Sequence, residues 1–417
     1  MTQVLTRFRS FARPSQLLML NQFTINLGFY MLMPYLATHL SGDLALATWT
    51  VGLILGVRNF SQQGMFLIGG TLADRFGYKP LIVAGCALRT GGFALLGLVD
   101  SIPALIVASA ATGFAGALFN PAVRAYLAED AGERRVEAFA LFNVFYQSGI
   151  LLGPLIGLVL TSVAFQATCL VAASVFAVLT VLQIRSLPPR RKRADGQRPA
   201  SVLAGWRTVF GNRSFVLFSL AMIGSYVLSF QVYLALPLEA RRIAGGGMSG
   251  TVLVALLFAV SGGLAIAGQL RITAWCRRRW GAGRCLAVGL TVMASAFLPP
   301  ILTSGDVSGS PPWLTWLPLL TSAGLLAVGT IVVFPFEMDT IVALSGNKLV
   351  ATHYGLYNTV VGIGILLGNL LTGGALDLAR AAGIPGVTWL TLALIGVACA
   401  WCLRALDTTG RLVPAPA

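Results

Sequence analysis

The sequence predicts an all-α integral membrane protein with twelve transmembrane helices. Of its 417 residues, 56% are hydrophobic, only 10% are charged, and the mean hydropathy is +0.81. Soluble domains contain roughly 45 to 50% apolar residues. Apolar runs of about 20 residues recur along the chain, as expected for helices that cross a bilayer, whereas barrel strands would alternate over about ten residues.

Twelve such runs divide the chain. The first follows three arginines, but it is too long for a signal peptide and lacks a small-residue cleavage site, so we interpret it as the first span. The predicted spans are residues 15–38, 47–71, 80–98, 103–127, 138–160, 163–184, 214–237, 249–273, 285–303, 313–338, 350–374 and 386–404.

The basic residues predict the orientation. Most of the 29 Lys and Arg residues lie on the side that holds the N-terminus, the 70–79 turn, the 185–213 segment and the C-terminal tail. By the positive-inside rule this side is cytoplasmic, with both termini. The net charge of +15 does not indicate nucleic-acid binding, because the basic residues flank spans and suit anionic lipid instead.

The two halves of the chain echo each other. Residues 29–34, near the end of the first span, reappear as 232–237 near the end of the seventh, and 149–155 reappear as 364–370. Echoes in the same order predict two pseudo-symmetric halves of six helices each.

The predicted domains follow from this repeat. They are an N-terminal bundle at 1–185 and a C-terminal bundle at 214–417, joined by a cytoplasmic linker at 186–213 that is polar and rich in proline and arginine. Within the linker, residues 202–210 form either a short amphipathic helix on the membrane surface or a solvated loop.

A compact charged turn follows the second span. Its glycines permit close backbone approach, the second glycine can adopt a positive φ where the chain reverses, and its acid suits a helix N-terminus. The turn carries Gly70, Asp74, Arg75, Gly77 and Lys79.

This turn resembles the loop between the second and third spans of the major facilitator superfamily, with the pattern G-x-x-x-D-[RK]-x-G-[RK]-[RK]. The resemblance implies a conformational latch that docks against the eleventh span and favours the state open to the outside. Tyr78 stands where a base is usual, and Arg278 takes the place of the acid in the second half, so a symmetrical latch is not expected.

The fifth span contains small residues at a spacing of four, with a helix-bending proline: Gly149, Gly153, Pro154 and Gly157. By itself this pattern predicts close helix packing. In the superfamily, G-x-x-x-G-P-x-x-G marks the antiporter branches, chiefly drug exporters. Residues 56–64 further resemble multidrug-resistance exporters of the MdtH type, although Asn21 replaces their first-span acid.

The family fold implies that the first, fourth, seventh and tenth spans line a substrate cavity. Amide and aromatic side chains there suit amphipathic organic molecules, although core packing is the alternative reading of each. The candidates are Gln22, Asn26, Tyr30, Tyr226, Phe230 and Tyr233.

Two arginines lie inside spans, where charge is costly. Arg58 shares a helix face with Gln62 and either attracts an anionic substrate group, balances an acid elsewhere, or braces neighbouring helices. We expect Arg89 to be structural, because Gly91 and Gly92 beside it indicate tight packing.

Proton coupling normally needs an acid in the membrane. The first six spans contain none, so the candidates for a proton carrier or gate are Arg124, Glu337, Asp339 and His353. Glu337 either carries the proton or pairs with Arg124 as a cytoplasmic gate.

The sequence as a whole predicts a monomeric secondary transporter of a bacterial inner membrane. We expect it to export amphipathic organic compounds or drugs by proton antiport and alternating access, with a role in antibiotic resistance. The alternatives are a carrier of an anionic organic metabolite with Arg58 as counter-charge, or a non-transporting scaffold or receptor. No enzyme is expected, nor any cofactor or metal, because only His39 and His353 are available and no catalytic constellation is present.

Overall fold

A computed structural model describes residues 2–161, 164–188, 201–244, 247–305 and 311–412. All regular elements within these ranges are helices. Residues 189–200, the middle of the predicted linker, lie outside the described residues. In chain order the α-helices are α1 Thr2–Arg9, α2 Arg13–Thr38, α3 Thr48–Gln63, α4 Phe66–Phe76, α5 Tyr78–Leu98, α6 Ile102–Ala131, α7 Arg135–Thr161, α8 Phe165–Ser186, α9 Val202–Gly211, α10 Arg213–Ala221, α11 Ile223–Ser229, α12 Ala235–Ile243, α13 Gly247–Arg279, α14 Ala282–Ser295, α15 Pro312–Ser345, α16 Val350–Ala381 and α17 Gly386–Thr408.

Helices occupy all twelve predicted spans within the described ranges. In the same ranges, nine segments are long and apolar enough to cross a membrane, and one of them, Ile102–Gly157, contains both α6 and most of α7. Neither the first nor the second predicted span is among the nine. Polar residues interrupt α2, and neither α3 nor α4 reaches the length that a bilayer requires.

Three spans that the sequence analysis treated as continuous helices are interrupted. In the ninth, α14 ends at Ser295 and a 3₁₀ turn follows at Pro299–Thr303. The second breaks at Gly64 and Met65, between α3 and α4, where glycine has a low helix propensity. The seventh is split into α10, α11, a 3₁₀ turn at Phe230–Val232, and α12. Pro237 lacks the N–H that would bond back to Tyr233, which accounts for the break between the turn and α12.

The chain forms two compact units. Unit 1 comprises Met1–Asn212 with Ile341–Thr359, and unit 2 comprises Arg213–Thr340 with Val360–Ala417. The end of α15 and the beginning of α16 therefore group with the N-terminal helices, although they belong to the second half of the sequence.

Close helix pairs form the core of each unit. In unit 1, α2 packs against α7, and α5 packs against both α6 and α8; in unit 2, α14 packs against α17. Of the two interpretations of residues 202–210 in the linker, the structure has the helix, α9. Ser201 caps it, and Trp206 on it donates from Nε1 to Oγ1 of Thr71 at 2.8 Å.

Candidate functional site

The turn after the second span docks on the beginning of α16 within unit 1. Asp74 near the end of α4 directs its carboxylate at the first turn of that helix. Oδ2 accepts hydrogen bonds from N and Oγ1 of Thr352, each at 2.7 Å, and Oδ1 accepts one from N of Ala351 at 3.2 Å. First-turn N–H groups lack partners in their own helix and carry its positive dipole end, so Asp74 acts as a cap supplied by another helix.

Asp74 lies beyond the second predicted span, and its environment changes its acidity. Burial raises the pKa of Asp74 to about 6, while the hydrogen bonds from Thr352 and Ala351 act in the opposite direction. The hydroxyl of Tyr78 lies 3.5 Å from Oδ1, which is long for a hydrogen bond. Tyr78 thus places a weak neutral donor near the acid where the family resemblance led us to expect a base.

Glycines permit this close approach. A side chain on Gly70 would overlap the carbonyl of Ala351, and a Cβ on Gly355 would lie 2.5 Å from O of Phe66. Helix α4 and the first turns of α16 therefore meet backbone to backbone. At the other end of the turn, Gly77 has a φ of +95°, which strongly favours glycine, and it joins α4 to α5 as expected.

Two neighbouring helices hold the turn from another side. Lys79 donates from Nζ to O of Ile184 near the end of α8 at 2.8 Å, and Trp206 of α9 reaches Thr71 one turn before Asp74. Arg75 is exposed. Of the predicted latch residues, Asp74 and Gly70 therefore contact α16, and Lys79 joins the turn to α8.

Further contacts join α6 and α7 to the same part of unit 1. Arg124, which follows Pro121 in α6, donates from Nη1 to Oδ1 of Asn358 on α16 at 2.8 Å. Arg135 at the start of α7 donates to Oδ1 of Asn347 at 3.3 Å. His353 is buried, with Nδ1 2.9 Å from O of Leu349. The structure therefore places Arg124 and His353 beside the Asp74 contact.

The glycine motif of the fifth span packs against the first span. An added Cβ on Gly149, Gly153 or Gly157 would meet a backbone carbonyl of α2 at 3.0 Å or less. Helix α7 continues through Pro154, whose carbonyl accepts a hydrogen bond from the Tyr35 hydroxyl at 2.7 Å. The motif thus allows α2 and α7 to pack closely in unit 1.

The predicted amide side chains of the first span are buried and form hydrogen bonds. Gln22 donates from Nε2 to Oδ1 of Asn26 at 3.1 Å, and Asn26 donates from Nδ2 to O of Tyr146 on α7 at 2.9 Å. Tyr30 is half-buried, with its ring 5.2 Å from that of Phe29. These polar groups line up along α2 inside unit 1.

Arg58 and Arg89 meet at one aromatic ring. Their guanidinium carbons lie 5.0 and 5.3 Å from the centroid of Phe29, and that of Arg89 lies 5.4 Å from the ring of Phe176. Gln62 shares the region, because a Cβ on Gly116 would lie 3.0 Å from Nη2 of Arg89 and 3.2 Å from Cδ of Gln62. The sequence analysis did not associate Arg89 with Arg58. The signal available was a second arginine at the centre of a span.

In unit 2, the acid of the tenth span is held by a tyrosine of the seventh. The Tyr226 hydroxyl donates to Oε1 of Glu337 at 2.8 Å, and Glu337 is only 2% exposed. Asp339 is half-buried two residues further along. The rings of Phe230 and Tyr233 lie 5.6 Å apart. The structure thus brings together two residues that the sequence analysis listed separately, Tyr226 and Glu337.

Sequence reasoning missed Glu239. This acid is 2% exposed in α12 and forms ion pairs with Arg242 at 2.8 Å and Arg380 at 3.1 Å. Arg242 also donates to the carbonyl of Thr303. The cluster ties α12 to α16 and to the 3₁₀ turn after α14. The i, i+3 spacing of Glu239 and Arg242 was the available signal.

The described residues offer no metal site. Within them, no group of three or more His, Cys, Asp and Glu side chains is placed to hold an ion, and the six cysteines are free thiols.

Comparisons with known proteins define the family. Residues 18–369 match the model of the Major Facilitator Superfamily. The chain is 57% identical over 403 residues to the uncharacterized MFS-type transporter Rv0849 of Mycobacterium tuberculosis, covering 96% of this chain and 95% of the relative. It is 28% identical over 380 residues to the multidrug resistance protein MdtH of Shigella dysenteriae, covering 91% and 90%.

Solved structures share the fold. The fucose:proton symporter FucP of Escherichia coli matches with a TM-score of 0.73 at 14% identity, covering 95% of this chain and 99% of that one. The human organic anion transporter MFSD10 matches with a TM-score of 0.74 at 16% identity, covering 94% and 99%. The chain therefore belongs to the major facilitator superfamily: it is a multi-pass membrane transporter, not an enzyme, and it has the fold with twelve transmembrane helices in two six-helix halves.

Proposed function

We propose that this transporter exports amphipathic organic compounds, drugs among them, in exchange for protons by alternating access. The observation that carries the proposal is the buried Glu337, which lies at the inner end of the tenth span and accepts a hydrogen bond from Tyr226 at 2.8 Å. A carboxyl group withdrawn from water in a membrane helix is suited to bind and release a proton. Tyr226 fixes its orientation.

Two further observations support drug export. The similarity to MdtH covers 91% of the chain, and MdtH is named a multidrug resistance protein. The glycine and proline motif of α7, which marks antiporter branches of the superfamily, lies directly against α2, whose Gln22, Asn26 and Tyr30 are the predicted cavity residues.

The contact between Asp74 and the first turn of α16 serves in this proposal as a conformational latch. It would favour the state that is open to the outside and would break as the transporter turns inward. Arg124, bound to Asn358, would reinforce the same contact region, and the break would free the first-turn N–H groups of α16.

The proposed cellular setting is a bacterial inner membrane, in which the protein acts as a monomer. We place both termini in the cytoplasm because most basic residues flank one side of the spans. The bundles at 1–185 and 214–417 are the two moving halves, and 186–213 is their linker.

A reconstituted transport assay tests the proposal. Proteoliposomes containing a pH indicator and an imposed pH gradient are exposed to rhodamine 6G or carboxyfluorescein, which share a xanthene core. We expect movement of a dye to dissipate the gradient, and Glu337→Gln to abolish that coupling. Asp377→Asn, which removes an acid whose side chain is 85% exposed, is the control and should retain it. Dye movement that ignores the pH gradient in the unmodified protein would refute proton antiport.

A further inference from the structure

Two cationic side chains inside unit 1 share one aromatic ring. Arg58 on α3 and Arg89 on α5 both lie against Phe29 of α2, at 5.0 and 5.3 Å from the ring centroid. Arg89 is 5% exposed and stands at the centre of the third predicted span, 80–98. Arg89 is therefore withdrawn from water, whereas Arg58 is half-buried.

The protein leaves part of both guanidinium groups without an acceptor. Among the described residues, Nε and Nη1 of Arg58 and Nε of Arg89 are buried and have no hydrogen-bond partner. Nη2 of Arg58 donates to Oδ1 of Asn59 at 2.5 Å. Buried guanidinium nitrogens normally have partners, so these orphaned donors indicate a missing acceptor.

The predicted spans around the two arginines supply no counter-charge. None of the six predicted spans in the first half of the chain contains Asp or Glu. Attraction to a shared ring lowers the cost of burial but leaves the net charge unchanged, and two like charges repel strongly where the dielectric constant is low. An anion that enters from outside the chain would supply the acceptors and the counter-charge together.

The surrounding side chains suit an anion attached to an apolar body. The planar fork of arginine matches carboxylate and phosphate oxygens in pairs, and Phe29 and Phe176 form an aromatic wall beside the two forks. Gln62 adds an amide, and Gly116 leaves the space that Gln62 and Arg89 occupy.

We propose that Arg58 and Arg89 together bind an anionic group, a carboxylate or a phosphate, of the compound that this protein transports. The inference rests on the proposed export of organic compounds and narrows their class to amphipathic organic anions. Phe29 and Gln62 position the two arginines.

Binding of matched dyes to the purified full-length protein tests this site. Carboxyfluorescein carries negative charge and rhodamine 6G positive charge on the same xanthene core, so fluorescence anisotropy compares charge at nearly constant shape. We expect Arg58→Gln and Arg89→Gln each to weaken carboxyfluorescein binding at least tenfold while rhodamine 6G binding is unchanged. Arg58→Lys should retain part of the affinity, because the charge remains while the paired donors are lost.

Controls separate a binding role from a structural one. Arg207→Gln removes an exposed arginine of α9 and should bind both dyes as the unmodified protein does. The Arg58 side chain is only half-buried, so Arg58→Gln is the variant more certain to fold, and thermal unfolding checks that it does. The test therefore stands even if Arg89→Gln disturbs the fold. Unchanged carboxyfluorescein binding in folded Arg58→Gln, or binding of rhodamine 6G alone by the unmodified protein, would overturn the proposal.

The phosphate of a lipid headgroup could occupy the same two arginines, so a separate experiment distinguishes lipid from a transported solute. The titration is repeated in nanodiscs of phosphatidylcholine and of phosphatidylglycerol, and we expect equal affinities. Competition by phosphatidylglycerol that disappears in Arg58→Gln would assign the site to lipid and overturn the assignment to a transported solute. Binding needs no pH gradient. Arginine-dependent binding in a protein that shows no proton coupling would therefore refute the antiport mechanism and leave the anion site standing.

Discussion

Asp74 caps the helix that contains Thr352, although the two residues are 278 positions apart in the sequence. Oδ2 of Asp74 accepts hydrogen bonds from both the amide and the hydroxyl of Thr352 at 2.7 Å. A helix cap supplied from a distant part of the chain can be made and broken without unfolding either helix. This property is what a conformational latch requires.

Asp74→Asn should weaken the latch while leaving the fold intact. The amide places an NH2 donor group opposite a backbone N–H of Ala351 or Thr352, and a buried N–H that loses its acceptor costs about 1 to 3 kcal/mol. We expect transport in proteoliposomes to fall by about tenfold or more, with unchanged membrane insertion. Asp100→Asn, which alters an exposed acid of unit 1, is the control. Normal transport by Asp74→Asn would mean that the turn is only a connector.

Gly70→Ala should disrupt the same contact sterically. An added methyl group overlaps the carbonyl of Ala351, so α4 must move away from α16 and the Asp74 hydrogen bonds must lengthen. We expect transport to fall as in Asp74→Asn. Gly52→Ala on α3, where an added Cβ meets nothing within 4 Å, should transport normally. Equal activity of the two variants would contradict the close approach seen here.

The raised pKa of Asp74 predicts that docking depends on pH. The pKa is about 6 in the docked turn and 3.8 for an ordinary aspartate, so the docked state binds a proton more readily than an undocked, hydrated one. Docking should therefore strengthen as pH falls from about 6 towards about 4 and should be constant above about 7.

Spin labels measure this dependence. The exposed positions Phe76 and Lys348, on the two sides of the contact, are changed to cysteine in a protein whose Cys399 and Cys402 are serine. The fraction of short label distances should rise on acidification. Asp74→Asn should abolish that rise, whereas His353→Gln, beside Thr352, should preserve it. The opposite trend, or the same trend in Asp74→Asn, would contradict the assignment to Asp74.

Glu239→Gln should lower thermal stability. The substitution leaves Arg242 and Arg380 without their shared counter-charge, although both arginines are about one-third exposed. We expect a loss of about 1 to 3 kcal/mol, visible as a lower unfolding temperature in detergent. Asp377→Asn, at an exposed acid near Arg380, should leave the unfolding temperature unchanged. Equal stability of both variants would show that the Glu239 cluster is dispensable.

Local patterns in the sequence account for much of this structure. Apolar runs predicted the spans because a bilayer demands their length, and the glycine spacing of α7 predicted close packing because only small residues allow it. Contacts between distant segments could not be predicted in the same way. Nothing local to Asp74 specifies Thr352 as its partner, and nothing near Arg89 indicates that it shares Phe29 with Arg58.

The interrupted seventh span illustrates another limit. Its composition is mostly apolar, so hydropathy predicts one helix, whereas Pro237 and the turn at Phe230–Val232 divide it. The division places Glu239 on the separate helix α12, where it meets Arg242 and Arg380. Backbone hydrogen bonding, which hydropathy does not register, decides this local geometry.

The distance between labels at positions 76 and 348 tests the central claim most directly, namely that the Asp74 contact opens and closes during transport. In reconstituted protein at neutral pH, we expect a short and a long distance to coexist, with Asp74→Asn shifting the population strongly to the long one. A single short distance in both proteins, unchanged when transport is driven by a pH gradient, would contradict the account.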